Sequence, residues 1–206
     1  MGTAAAILAV LLLLGGIALA APGGADVRSA ARAGRRILLV GNALTLGYAP
    51  AVALPPGAVL EGFTWSGRGV APLLARLADY LAHQPTDVVV LLEGDDLASS
   101  AGVGAAAADL RRVWADVKRT GARLYAVQLV PASAQRPDDA TGVMSLNAFI
   151  LAASREAGGP DVVVRTATLG DADGRLRPEF GGGGRRLSPA GLRALAHLVG
   201  AALGGV

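Results

Sequence analysis

Five short runs rich in apolar residues, at 37–40, 58–63, 87–92, 124–130 and 161–165, dictate what this chain can fold into. The clearest is DVVVLL at 87–92, which has no polar alternation after its first residue. A strand apolar at successive positions has no solvent face, so it belongs in a parallel sheet covered on both sides. Between and after the runs the apolar period becomes helical. Leu73, Leu74, Leu77 and Leu81 mark one face of a helix over 70–83. Leu110, Val113, Trp114 and Val117 mark a second, and Leu146, Ile150 and Ala153 a third. Leu192, Leu195, Val199 and Ala202 mark a last one, introduced by Ser188-Pro189 as cap and first helical residue. This alternation predicts an α/β domain over residues 35–206, a three-layer sandwich around a five-stranded parallel sheet.

Two segments precede that domain. Residues 22–34 are small, polar and glycine-containing, and read as a linker. Residues 1–21, apolar throughout over 4–21 (AAAILAVLLLLGGIALAA), form the other, and an N-terminal apolar helix is expected there. The segment reads as a signal peptide, with Ala18-Leu19-Ala20 as a small-x-small site that would cut before Ala21, or as a membrane anchor. No Lys or Arg precedes it, whereas Arg28, Arg32, Arg35 and Arg36 follow, a bias against the usual secretory orientation. The expected location of the protein is extracytoplasmic, exported or membrane-anchored.

Hydrophobic residues make up 52% of the chain and charged residues 17%, enough for a sizeable core. The formal charge is +3, but the arginines are dispersed and no nucleic-acid motif accompanies them, which argues against a nucleic-acid partner. There is no cysteine, hence no disulfide framework, lipid-modified cysteine or thiolate chemistry.

Open parallel sheets bind ligands beyond the carboxyl ends of their strands. Three segments fall there: 41–45 after the first strand, 64–69 after the second and 93–96 after the third. The first belongs to ILLVGNALT (37–45), the second contains Gly67 in TWSGRGVAPLLARL, and the third belongs to DVVVLLEGDDL. Near the C-terminus, GGRRLSPAG runs over 183–191, after DADGRL at 171–176, and Asn147 stands where a pre-strand helix is expected to open. These blocks, in this order, resemble those of the SGNH hydrolases, or GDSL-type esterases and lipases, over about residues 35–204. The family's blocks usually read Gly-Asp-Ser-x-Thr, a glycine, Gly-x-Asn-Asp and Asp-x-x-His followed by Leu-Ser-Pro-x-Gly.

The resemblance implies a flavodoxin-like fold and an acyl-ester hydrolase site at positions 43, 67, 95, 183 and 186. Here the nucleophile position holds Ala43, the general-base position Arg186 and the orienting-acid position Gly183. Alanine has no oxygen to attack an acyl carbon, and a guanidinium stays protonated at neutral pH. Ala43 and Gly67 retain backbone donors for an oxyanion. Asp95 stands in place of the family's asparagine, and its carboxylate donates nothing. Loss of one such donor typically costs about 100- to 1,000-fold in rate. Asn42 and Glu93 are further departures.

Substitutes for the missing groups are few. His83 is expected at a helix end away from the carboxyl edge, and His197 at the boundary of the last helix. Ser66 fits a turn and Ser188 a helix cap. Asp171 and Asp173 read as a loop turn, and Glu93, Asp95 and Asp96 lack the further ligands of a metal site. No metal or cofactor is expected. The leading expectation is a non-catalytic relative of the family at the cell envelope. Its cleft, lined by Asn42, Ala43, Gly67, Asp95, Asp96 and Arg186, would bind a small molecule or envelope glycan. An ion pair is expected between Arg186 and Asp95 or Asp96. The alternative is a working hydrolase of acyl esters or acetylated glycans with catalytic residues recruited from unusual positions.

Overall fold

The computed structural model describes residues 34–41, 47–64, 71–91, 100–133, 137–183 and 186–205. The apolar segment at 4–21 and nearly all of the linker lie outside these residues. A compact unit begins at Arg35. Its strands are β1 (Arg36–Gly41), β2 (Val59–Thr64), β3 (Asp87–Leu91), β4 (Arg123–Val127) and β5 (Val162–Val164). Its helices are α1 (Ala71–Leu81) before β3, α2 (Ser100–Arg119) before β4, α3 (Ala140–Ala153) before β5, and α4 (Pro189–Leu203). The sheet is parallel throughout, in the order β2-β1-β3-β4-β5. Among the described residues no helix is long and apolar enough to cross a membrane.

The two-residue period of the strands sorts their side chains onto two faces. Leu38, Val40, Val88, Val90, Leu124 and Ala126 pack with Leu73 and Leu77 of α1, Val113 and Trp114 of α2, and Leu146 and Ile150 of α3. Ile37, Leu39, Val89, Leu91, Tyr125 and Val127 pack with Tyr48 and with Leu195, Val199 and Leu203 of α4. Every residue of β3 is buried, which is why its sequence carries no polar alternation.

Three elements differ from the sequence expectation. Helix α2 starts about ten residues before its apolar stripe, because its first half is Ala- and Gly-rich and carries no large side chain to mark a face. Strand β4 stops at Val127 instead of 130, since the backbone of Leu129 bonds to a side chain of α3 instead of a neighbouring strand. Asn147 does not open α3; it is the eighth residue of that helix.

The amino-terminal edge of the sheet is closed by charge. Arg35 forks onto Asp87 with bonds of 3.0 and 2.6 Å, reaches the Tyr125 hydroxyl at 3.2 Å, and donates to the Leu203 carbonyl at 2.5 Å. Thr86 adds a 2.7 Å hydroxyl donor to the same carboxylate. Burial pushes the Asp87 carboxyl up, but the Arg35 and Thr86 bonds outweigh it and hold the group below the ordinary carboxylate range. One residue thereby ties the start of β1 to β3, β4 and the last carbonyls of α4, where a cation also meets the negative end of the helix.

Candidate functional site

Strand β1 has β2 on one side and β3 on the other, so the chain reverses its direction of travel across the sheet between β1 and β3. At such a switch point the loops beyond neighbouring strand ends diverge and leave a crevice. Here that point lies at the carboxyl ends of β1 and β3, where Gly41 pairs with Leu91. Of the residues expected to form the site, Asn42, Ala43, Gly67, Asp95 and Asp96 lie outside the described residues, as do Ser66 and Glu93. Gly183, Arg186 and Ser188 are described.

Helix α4 brings these three to the carboxyl edge of the sheet. Its last residue, Leu203, is bonded by Arg35 at the amino edge, so its first turn stands at the carboxyl edge. The chain that leaves β1 at Gly41 meets that turn at Gly47, where a Cβ would come within 3.0 Å of Leu192. Just before α4 the chain forms a narrow hairpin. Gly181 bridges Leu187, Gly182 donates to the Arg186 carbonyl at 2.8 Å, and Ser188 donates to the Phe180 carbonyl at 2.8 Å. The tip is closed by the Arg186 amide donating to the Gly183 carbonyl at 3.2 Å, an i to i+3 turn. Positions 183 and 186 therefore sit side by side. Gly183 has φ +93°, a left-handed conformation that costs an L side chain. Two further glycines permit the close approach: a Cβ at Gly182 would meet the Leu187 carbonyl oxygen at 2.7 Å, and one at Gly191 the Phe180 oxygen at 2.5 Å.

Arg186 is exposed, and its guanidinium meets no carboxylate among the described residues. Its expected partners, Asp95 and Asp96, are outside them. Ser188 is a helix cap: its Oγ accepts from the Gly191 amide at 3.1 Å and donates to the Glu179 carbonyl at 2.6 Å. Both uses compete with any role as a nucleophile. Asp171 accepts from the amides of Asp173 and Arg175 at 2.9 Å each, a loop turn as its spacing suggests. His83 is exposed beyond the end of α1 at the amino edge, 3.2 Å from Glu61, and His197 is exposed on α4. Among the described residues no cluster of His, Cys, Asp or Glu could hold a metal ion.

One polar arrangement at this edge escaped the sequence. The Asn147 side chain accepts from the Leu129 amide at 2.8 Å and donates to the Leu129 carbonyl at 2.9 Å. Thr166 donates to the same carbonyl at 2.7 Å, and Gln128 donates to the Asn147 carbonyl at 3.2 Å. An asparagine within the apolar second half of α3, residues 146–153, is the signal that could have pointed to it.

No family model and no curated protein matches this sequence. Solved structures do match by fold. A GDSL-like lipase from Bacteroides thetaiotaomicron superposes with a TM-score of 0.67 at 19% identity, over 87% of this chain and 95% of that one. A lipase/acylhydrolase from Enterococcus faecalis gives 0.62 at 20% identity, over 81% and 94%. The acetyl xylan esterase AlAXEase gives 0.61 at 12% identity, over 82% and 99%. These superpositions show that this chain has the α/β fold of the GDSL-like lipases and acylhydrolases.

Proposed function

We propose that this chain is a non-catalytic protein on the GDSL-type hydrolase fold, acting at the cell envelope and binding a small molecule or envelope glycan in the former active-site cleft. The observation that carries this reading is the turn at 183–186. A Ser-His-Asp mechanism needs its base beside the acid that orients it. The turn holds the two corresponding positions together, yet one is a glycine and the other an arginine that stays protonated. The φ of Gly183, +93°, favours a residue without a side chain, which supports this reading. Ala43 at the nucleophile position agrees with this, and Ser188 is committed to capping α4. Several proteins of this fold are named for acting on lipids or acetylated xylan, which suggests acylated or acetylated ligands for the cleft. The envelope assignment rests on the apolar stretch at 4–21.

The test is a serine-reactive fluorophosphonate probe and a short aryl ester assay on the purified full chain, with calorimetry against acetylated and deacetylated glycan fragments. No labelling, no turnover above background and saturable binding of a fragment are expected. Turnover that disappears on Ser66→Ala or Ser188→Ala would replace this reading with the working hydrolase. Absence of binding to every fragment would remove the glycan as ligand.

A further inference from the structure

We propose that Asn147 is the positioning residue of the cleft wall beyond β4. Its amide takes both backbone groups of Leu129 and so sets the course of residues 128–133 along the carboxyl edge. The inference rests on the reading that ligands occupy that edge, but its geometry stands without one.

The ladder between β4 and β5 ends at Val127 paired with Val164. Beyond it the chain still needs partners for its amides and carbonyls, because a buried unpaired backbone group costs about 1–3 kcal/mol. The Asn147 carboxamide presents an acceptor and a donor side by side, as an adjacent strand would, and Leu129 occupies both at 2.8 and 2.9 Å. Thr166, just past β5, supplies the second bond to the Leu129 carbonyl at 2.7 Å. Further along, Ala132 accepts from the Leu176 amide at 3.0 Å, and Pro131 stands 3.4 Å from where a Cβ on Gly170 would be. The segment is thus fixed to α3 at one point and to the chain after β5 at others, with Leu129 where these ties meet. A simple core role would be filled equally well by leucine at 147. A donor and an acceptor aimed at one residue of the adjoining segment fit a positioning role.

The carboxamide is bonded to the Leu129 backbone, Thr166 shares the Leu129 carbonyl, Gln128 donates to the Asn147 backbone carbonyl, and none of these groups titrates. This gives a test with its own signature. Asn147→Asp keeps the acceptor for the Leu129 amide but at neutral pH points a carboxylate oxygen at the Leu129 carbonyl. Protonation restores a donor there, and the half-buried position beside uncharged groups raises the pH at which it occurs. Hydrogen exchange on the full chain, expressed as protection factors, should show residues 128–133 opening at least about tenfold more often in Asn147→Asp at neutral pH. Protection should return on acidification, while Asn147→Leu stays open at both pH values. If either variant fails to fold, the native protein decides: the Asn147 side-chain amide protons should exchange together with the Leu129 amide. Equal behaviour of the two variants without pH dependence would overturn the proposal. So would loss of protection spread evenly over the domain, or native Asn147 amide protons that exchange freely. None of these outcomes depends on a ligand, so failure here is distinct from failure of the glycan-binding assay.

Discussion

The two edges of this sheet are held in different ways. At the amino edge a buried charge, Asp87, is neutralised by the Arg35 fork, which also meets the Tyr125 hydroxyl of β4 and the Leu203 carbonyl of α4. Two shallow grooves of about 530 and 650 Å³ run along it, lined by residues such as Thr86, Lys118, Gly121 and Asp161. Lys118 and Asp161 are already paired with each other at 2.6 Å. At the carboxyl edge the described chain is held by backbone bonds and glycine contacts, with the polar side chains Ser188, Asn147 and Thr166 spent on the backbone. The exposed guanidinium of Arg186 has no carboxylate partner among the described residues. Charge is thus structural at the amino edge, whereas the described carboxyl edge is held together by neutral groups.

The comparison predicts that the amino edge is the more sensitive to charge. Asp87→Ala strands the part-buried Arg35 and should destabilise the domain by on the order of 3 kcal/mol, measured by urea unfolding. An effect near zero would mean that solvent screens the fork and that the edges do not differ in this respect. The pH dependence follows in sign. The folded Asp87 binds its proton less readily than the unfolded one, so its contribution is complete above about pH 4. It drains away as pH falls through the lowered folded value. Asp87→Asn should flatten that part of the acid unfolding curve, and a curve of unchanged shape would assign the acid sensitivity elsewhere.

The carboxyl edge should respond to volume instead. Gly191→Ala puts a methyl 2.5 Å from the Phe180 carbonyl oxygen, and a loss of about 2–3 kcal/mol, constant across pH 4–8, is expected. A loss that varies with pH would blur the contrast between the edges. A smaller effect is expected for Gly183→Asp. Nothing stands within 4 Å of its Cβ position, so the cost is that of the left-handed backbone alone, roughly 1 kcal/mol. A stabilising result would mean that the turn relaxes readily and that an acid could be restored there.

The smallest expected effect concerns activity. Ala43→Ser alone should leave ester turnover at background, since a serine without a base is a weak nucleophile and such groups act as a unit. Only Ala43→Ser combined with Asp95→Asn, Gly183→Asp and Arg186→His could gain measurable turnover, and the strain at 183 works against even that. A clear gain from the single change would reveal a general base at this edge and end the non-catalytic reading.

Much of this architecture was legible in the sequence because burial writes itself into period. Strands without polar alternation demanded two covering layers, and the helical stripes supplied them: Leu73 and Leu77, Val113 and Trp114, and Leu195 and Val199 are all buried as their spacing implies. Ser188 before Pro189 announced α4 because capping is local, needing only residues three or four apart. Strand order and the pairing of distant groups were decided by tertiary structure. Arg35 and Asp87 are 52 positions apart, and nothing in their local sequence distinguishes them from solvated charges. Asn147 looked like a helix-opening residue until Leu129, 18 positions earlier, was brought against it. The conformation of Gly183 likewise depends on the hairpin that Gly181 and Leu187 close around it. Periodicity and caps are short-range consequences of backbone geometry, so the chain carries them in its sequence. A hydrogen bond between remote segments exists only once the sheet has chosen its neighbours.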